Sequence, residues 1–165
     1  MSPYAEVDVK MLKCPAWMLC AKPYPGHRRG CPNLAKKPGC PTGAPMIGDV
    51  LDLSQPVFAV YTVFDLGEHV ARMREKHPSW SERQLRCCLY WQPRARRNLR
   101  AEIRRFLKDL GPAVIVTTPE ACGVNVTETM ETCGIYLDWP PETTAILVVI
   151  AGTAAAALLR RAARG

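Results

Sequence analysis

The chain has 165 residues with 22 Lys and Arg against 15 Asp and Glu, a net charge of +7, and 48 % hydrophobic and 22 % charged side chains. That balance suits a globular chain and excludes disordered and collagen-like ones, and the length sets an expectation of one domain over residues 1–165. Two counts depart from the ordinary: 15 prolines, against an average share of about 5 %, and eight cysteines. No basic stretch followed by an apolar one opens the chain, so a cytoplasmic location is expected. In that reducing compartment, clustered cysteines read as metal ligands rather than disulfides.

Residues 1–50 hold the cysteine cluster. Cys14, Cys20, Cys31 and Cys40 follow one another as C-x5-C-x10-C-x8-C, and proline comes directly after Cys14, Cys31 and Cys40. Residues 21–30 contain few helix or strand formers, so something other than backbone pairing must order them. Four thiolates closing on one centre would do so, because the binding energy then enters the folding energy. A proline after a ligand fixes φ and stiffens the turn that presents the sulfur, as at the end of the bacterial ferredoxin run. No two of these cysteines show the two-to-four-residue spacing of a zinc knuckle, whereas cluster sites accept irregular spacing. The expected cofactor is therefore an iron-sulfur cluster of the 4Fe-4S kind held by Cys14, Cys20, Cys31 and Cys40, with zinc as the alternative and His27 as a possible substitute ligand. Lys22, Arg28, Arg29, Lys36 and Lys37 would offset the negative charge of such a centre.

Residues 51–152 read as the α/β core. Residues 57–64, 113–117 and 145–150 are near-continuous apolar runs rich in β-branched or aromatic residues, suited to strands covered on both faces. Residues 67–77 carry Val70 and Met73 at helical spacing and stop at Pro78. Ser79 and Glu82 then form the pattern of a capping box, and Pro93 is expected to interrupt the helix that follows. Its continuation over residues 94–110 puts Leu99, Ile103, Phe106 and Leu110 on one face and most arginines on the others, until Gly111 and Pro112 stop it. Residues 125–133 read as a short helix begun by Asn125 or Thr127. The apolar run 145–159 is too short to cross a membrane, so it reads as a buried strand followed by an alanine-rich basic helix or tail over residues 153–165, ending in Arg160, Arg161 and Arg164. The expected class is α+β or α/β: a small layered sheet covered by helices, with the Cys/Pro-rich metal-binding segment folded over one edge or end.

The other cysteines and the histidines carry weaker signals. Cys87 and Cys88 point about 100° apart on a helix, so both do not face one ion, and at least one is expected in the core. Cys122 and Cys133 read as small buried thiols. His69 and His77 read as partly exposed surface residues. No Ser-His-Asp order, glycine-rich phosphate loop or His-Glu-x-x-His motif is present, so the sequence assigns no reaction. The Asn125-Val126-Thr127 triplet matches a glycosylation acceptor without meaning in a cytoplasmic chain.

Two stretches carry a family likeness. One is Gly30-Cys31-Pro32-Asn33 with Cys40-Pro41 downstream; the other runs from Pro119-Glu120-Ala121-Cys122-Gly123-Val124-Asn125-Val126 through Thr129 and Cys133-Gly134-Ile135 to Trp139-Pro140-Pro141. In wording and order the chain resembles a family of small prokaryotic proteins described as predicted metal-binding proteins of unknown function. The resemblance spans about half the chain and implies metal binding of the iron-sulfur kind, without a reaction.

Function classes then divide on charge. Residues 72–108 hold twelve Lys or Arg against three Glu, a local +9 that leaves about −2 for the rest. With a metal centre, such a face suits an acidic protein partner, as in electron transfer or service as an accessory factor to an enzyme. A structural-zinc module binding nucleic acid through the basic helix is the alternative, because Trp80, Tyr90 and Trp91 interleave aromatic rings with Arg94 to Arg105. No membrane partner is expected.

Overall fold

The computed structural model describes residues 2–23 and 27–163. In chain order the elements are β1 (Tyr4–Glu6), α1 (Ala16–Ala21), α2 (Ile47–Val50), β2 (Val57–Asp65), α3 (Leu66–Lys76), α4 (Glu82–Leu85), α5 (Cys88–Leu110), β3 (Val114–Val116), a 3-10 helix (Pro119–Cys122), α6 (Val126–Glu131), β4 (Thr144–Gly152) and α7 (Ala156–Ala162). The four strands form one antiparallel sheet in the order β1-β2-β4-β3, which makes the class α+β. Val114, Ile115 and Val116 of β3 face Gly152, Ala151 and Ile150 of β4. The three anticipated strands are present. β1 was not anticipated, because three residues containing Glu6 carry no apolar period. It is tied on by the Val7 amide donating to Val57 O at 2.9 Å and the Tyr61 amide donating to Pro3 O at 2.9 Å.

The chain divides into two compact units, and β2 and β4 pass from one to the other. The first comprises residues 1–4, 60–111 and 137–148. Its core is Phe64, Leu66, Val70, Leu85, Trp91, Ala95 and Ala145, with Met73, Trp80 and Leu147 packed against it. Phe64 stacks on Trp91 with ring centroids 5.4 Å apart. The helical path here differs from the expected one. The capping box is formed by Ser81 and Gln84, not Ser79 and Glu82, because Trp80 stays in the preceding turn, its amide donating to His77 O at 3.0 Å. The break falls at Arg86 and Cys87, and α5 runs unbroken through Pro93. Leu85 and Trp91, on either side of the break, are both buried. The Trp91 indole N–H donates to Arg86 O at 3.2 Å and seals the joint. Trp91, Ala95, Leu99 and Phe106 then hold the buried face of α5 against the cost of Pro93.

The second unit comprises residues 5–59, 112–136 and 149–165. Ile47, Leu51, Val124, Met130, Ile150 and Ala151 are fully buried in it. Asn125 caps α6, its side-chain oxygen accepting from the Glu128 amide at 3.2 Å. Residues 8–12 run alongside: Asp8 N donates to Thr132 Oγ1, Lys10 N to Thr129 Oγ1 and Leu12 N to Gly123 O, all between 2.8 and 3.0 Å. Gly123 has φ +86, and a Cβ there would come within 2.6 Å of Met46 Cε. This lacing fixes the point from which the cysteine segment departs. The alanine-rich C-terminal helix forms as α7, with Arg160 and Arg161 in its last turn; Arg164 lies outside the described residues. Among the described residues no helix is long and apolar enough to cross a membrane.

Candidate metal centre

The cysteine segment lies wholly in the second unit. Cys14 precedes Pro15, the N-cap of α1, whose carbonyl accepts from Met18 N at 3.0 Å. Cys20 sits near the end of α1, which packs against the 3-10 helix. From Lys22 to Met46 the described residues form turns rather than named helices or strands, in keeping with their composition; residues 24–26 lie outside the description. Local bonds hold these turns: Leu34 N donates to Cys31 O, Lys36 N to Asn33 O and Cys40 N to Lys37 O, between 2.9 and 3.2 Å.

Three features bring the turns together. The Cys31 amide donates to Cys20 O at 2.7 Å, joining two cysteines that stand eleven positions apart. Gly30, at φ +76 and buried, lies so close to the end of α1 that an added Cβ would meet Cys20 O at 2.5 Å and Ala21 O at 2.7 Å. Gly39 borders Thr118, the residue before the 3-10 helix, which sets the Cys40 turn beside that helix. Cys40 is half-buried and its thiol donates to Asn33 O at 3.0 Å.

Electrostatics show which side chains share one neighbourhood. The Cys20 thiol is pushed up, first by burial, then by Cys31, Cys40 and Glu120. Burial and Glu120 also raise the Cys122 thiol. Protein packed around the Glu120 carboxyl raises it in turn, although part of that side chain still reaches solvent. Cys20 thus lies within electrostatic reach of Cys31, Cys40 and Glu120, and Cys122 within reach of Glu120. Cys14 is half-buried, and no described interaction couples its sulfur to the other three. His27 is exposed. Among the described residues no three His, Cys, Asp or Glu side chains converge tightly enough to hold one ion.

The other expectations separate cleanly. Neither Cys87 nor Cys88 is core: Cys87 is half-buried at the start of α5 and Cys88 is exposed, because Trp91 and Ala95 take the buried positions of that helix. Cys122 is buried as expected; Cys133 is half-buried, its thiol donating to Met130 O at 3.1 Å. His77 is partly exposed, but His69 is not, at 4 % exposure. The ring of His69 tilts against Phe64 at 5.9 Å, and its Nε2 is buried without a hydrogen-bond partner. Burial, then Arg72 and Arg94, lower its pKa and keep it neutral.

Sequence spacing gave no reason to join Glu120 or Cys122 to the cluster, since about 80 residues separate them from Cys40. The bond from Leu12 N to Gly123 O, the packing of α1 on the 3-10 helix and the approach of Gly39 to Thr118 bring the two segments side by side. No family model, curated protein or solved structure matches the chain.

Proposed function

We propose that this chain carries one thiolate-held metal centre, an iron-sulfur cluster, on Cys20, Cys31 and Cys40 with Cys14 as the fourth ligand, and acts in electron transfer or as an accessory factor to an enzyme. The observation that carries the reading is that the Cys31 amide donates to Cys20 O at 2.7 Å, with Gly30 pressed against the same end of α1, across turns with little other structure. The donor chemistry fits: Cys20 near the end of α1 and Cys31 and Cys40 on Cys-Pro turns are half-buried thiols, the soft ligands such a centre takes, and binding would draw them closer than they stand here. Lys22, Arg28, Arg29, Lys36 and Lys37 are exposed nearby in sequence and form no ion pair among the described residues, so they would offset the charge of such a centre. Bound there, a cluster would supply one-electron chemistry, tuned by burial and hydrogen bonds to its sulfurs.

The thiols must lose their protons to bind, so the raised Cys20 makes loading release protons and improve with rising pH. A thiolate-held centre of this kind suits a reducing compartment such as the cytoplasm, where clustered cysteines stay available as ligands. The test is metal analysis of Cys14→Ser, Cys20→Ser, Cys31→Ser and Cys40→Ser, with Cys88→Ser as the exposed control. Each of the four should lose the metal while the control keeps it. Full metal content in all four overturns the reading, and zinc without sulfide replaces the cluster with a structural zinc site.

A further inference from the structure

The first unit carries a feature that the metal centre does not use. On α5, Tyr90, Arg94, Arg97, Arg104 and Lys108 stand at i, i+4, i+7, i+14 and i+18, which places them within about 40° of one line along roughly 27 Å of helix. All five are exposed, while Trp91, Ala95, Leu99 and Phe106 on the far side are buried. None of the four cations on this line forms an ion pair among the described residues. The carboxylates of α5 are already engaged: Glu102 lies 3.9 Å from Arg105, and Asp109 accepts from the Tyr4 hydroxyl at 3.2 Å.

At the N-terminal end of this line stands a ladder of rings. His77 lies parallel to Trp80 at 4.0 Å and 8°, and Trp80 meets Tyr90 at 5.0 Å and 32°. Tyr90 is 52 % exposed, so ring surface remains open where the ladder ends and the cations begin. A solvated helix face needs charges but no stacked rings beside them. An acidic protein surface would pair with the cations but has no use for an open aromatic step.

From these observations we infer that α5 and the His77–Trp80–Tyr90 ladder form a binding site for single-stranded nucleic acid, with an unpaired base stacking on Tyr90 and phosphates running along Arg94, Arg97, Arg104 and Lys108. Aromatic platforms joined to a basic track are the general chemistry of such binding, since every base offers a flat face. The spacing agrees in scale: Arg94 to Lys108 spans about 21 Å, near the length of six stacked nucleotides at roughly 3.4 Å each. A duplex hides its base faces, so it gains only the charge part of this site.

The test is fluorescence anisotropy of the full chain with labelled twelve-nucleotide oligothymidylate, a duplex of equal length and a poly-glutamate peptide. Four neutralised phosphates give a slope of about −3 in log K against log salt, a loss of affinity near 50-fold between 50 and 200 mM. Tyr90→Ala should weaken single-strand binding by about 5- to 150-fold and Tyr90→Phe should restore it, as loss and return of one stacking step require. Arg97→Glu on the line should weaken it more than Arg96→Glu, which changes the net charge equally but lies about 100° away. Circular dichroism confirms that each variant is folded. Equal binding of the duplex or of poly-glutamate, an indifferent Tyr90→Ala, or no binding at 50 mM salt each overturns the proposal, the poly-glutamate result in favour of an acidic protein partner.

Discussion

Replacing Gly30 with Ala should damage the cysteine segment more than a change of one methyl ordinarily does. The backbone at Gly30 has φ +76, where a non-glycine residue costs about 1–2 kcal/mol, and the new Cβ would stand 2.5 Å from Cys20 O and 2.7 Å from Ala21 O. Both neighbours are backbone atoms at the end of α1, so no side chain can swing away. Gly134→Ala isolates the first part of the cost, since φ there is +77 and nothing lies within 4 Å. Gly43→Ala lacks both, its nearest atom being Pro38 O at 3.7 Å. In a chain of this size 1 kcal/mol shifts the melting temperature by roughly 2–4 °C. Gly134→Ala should therefore melt about 4 °C below the parent, Gly43→Ala within about 2 °C of it, and Gly30→Ala at least twice as far down as Gly134→Ala. Differential scanning calorimetry, with thiol alkylation followed by mass spectrometry, gives the readout. Gly30→Ala should also speed alkylation of Cys20 and Cys31, because their carbonyl-to-amide bond must open. Melting of Gly30→Ala at the temperature of Gly134→Ala, with unchanged alkylation, would refute the close approach of the two cysteine turns.

Three further outcomes follow from particular side chains. Pro93→Ala should raise the melting temperature, because it returns an amide hydrogen to the interior of α5, and a fall would show that the helix is not continuous there. His69 is held neutral by burial and by Arg72 and Arg94, so its folded pKa lies below the unfolded value near 6.5. Its stabilising share is complete above that value and is lost as pH falls through it, so chemical denaturation from pH 7.5 to 5.5 should show a decline that His69→Phe reduces. Cys122→Ala, at a buried position, should cost about 1 kcal/mol, whereas Cys88→Ala, at an exposed one, should stay within about 0.5 kcal/mol; equal costs would contradict their placement.

The elements with a strong apolar period were legible from the sequence. Residues 57–64 and 145–150 became β2 and β4 because long β-branched runs have few alternatives, and residues 94–110 became most of α5 because Leu99 and Phe106 recur on one face. Positions decided by packing were not legible. A capping pattern fits Ser79 as well as Ser81 until Trp80 is known to stack on His77. The rule that proline breaks a helix fails at Pro93, where burial of Trp91, Ala95, Leu99 and Phe106 holds α5 together, and the break falls instead at Arg86 and Cys87. His69 looked like a surface residue because nothing in its local sequence announces Phe64 beside it. At the candidate centre, clustering pointed to Cys14, Cys20, Cys31 and Cys40 alike, while the nearness of Glu120 and Cys122 comes from contacts between segments some 80 to 120 positions apart, which spacing does not reveal.

Anaerobic purification of the full chain, followed by iron and acid-labile sulfide analysis and a visible spectrum before and after dithionite, decides whether the cysteine segment holds a cluster. A cluster-bearing chain is brown, with matching amounts of iron and sulfide, an absorbance that dithionite bleaches, and loss of both in Cys20→Ser. A colourless, fully folded protein that takes up neither iron nor zinc after reduction and reconstitution would contradict the proposed centre.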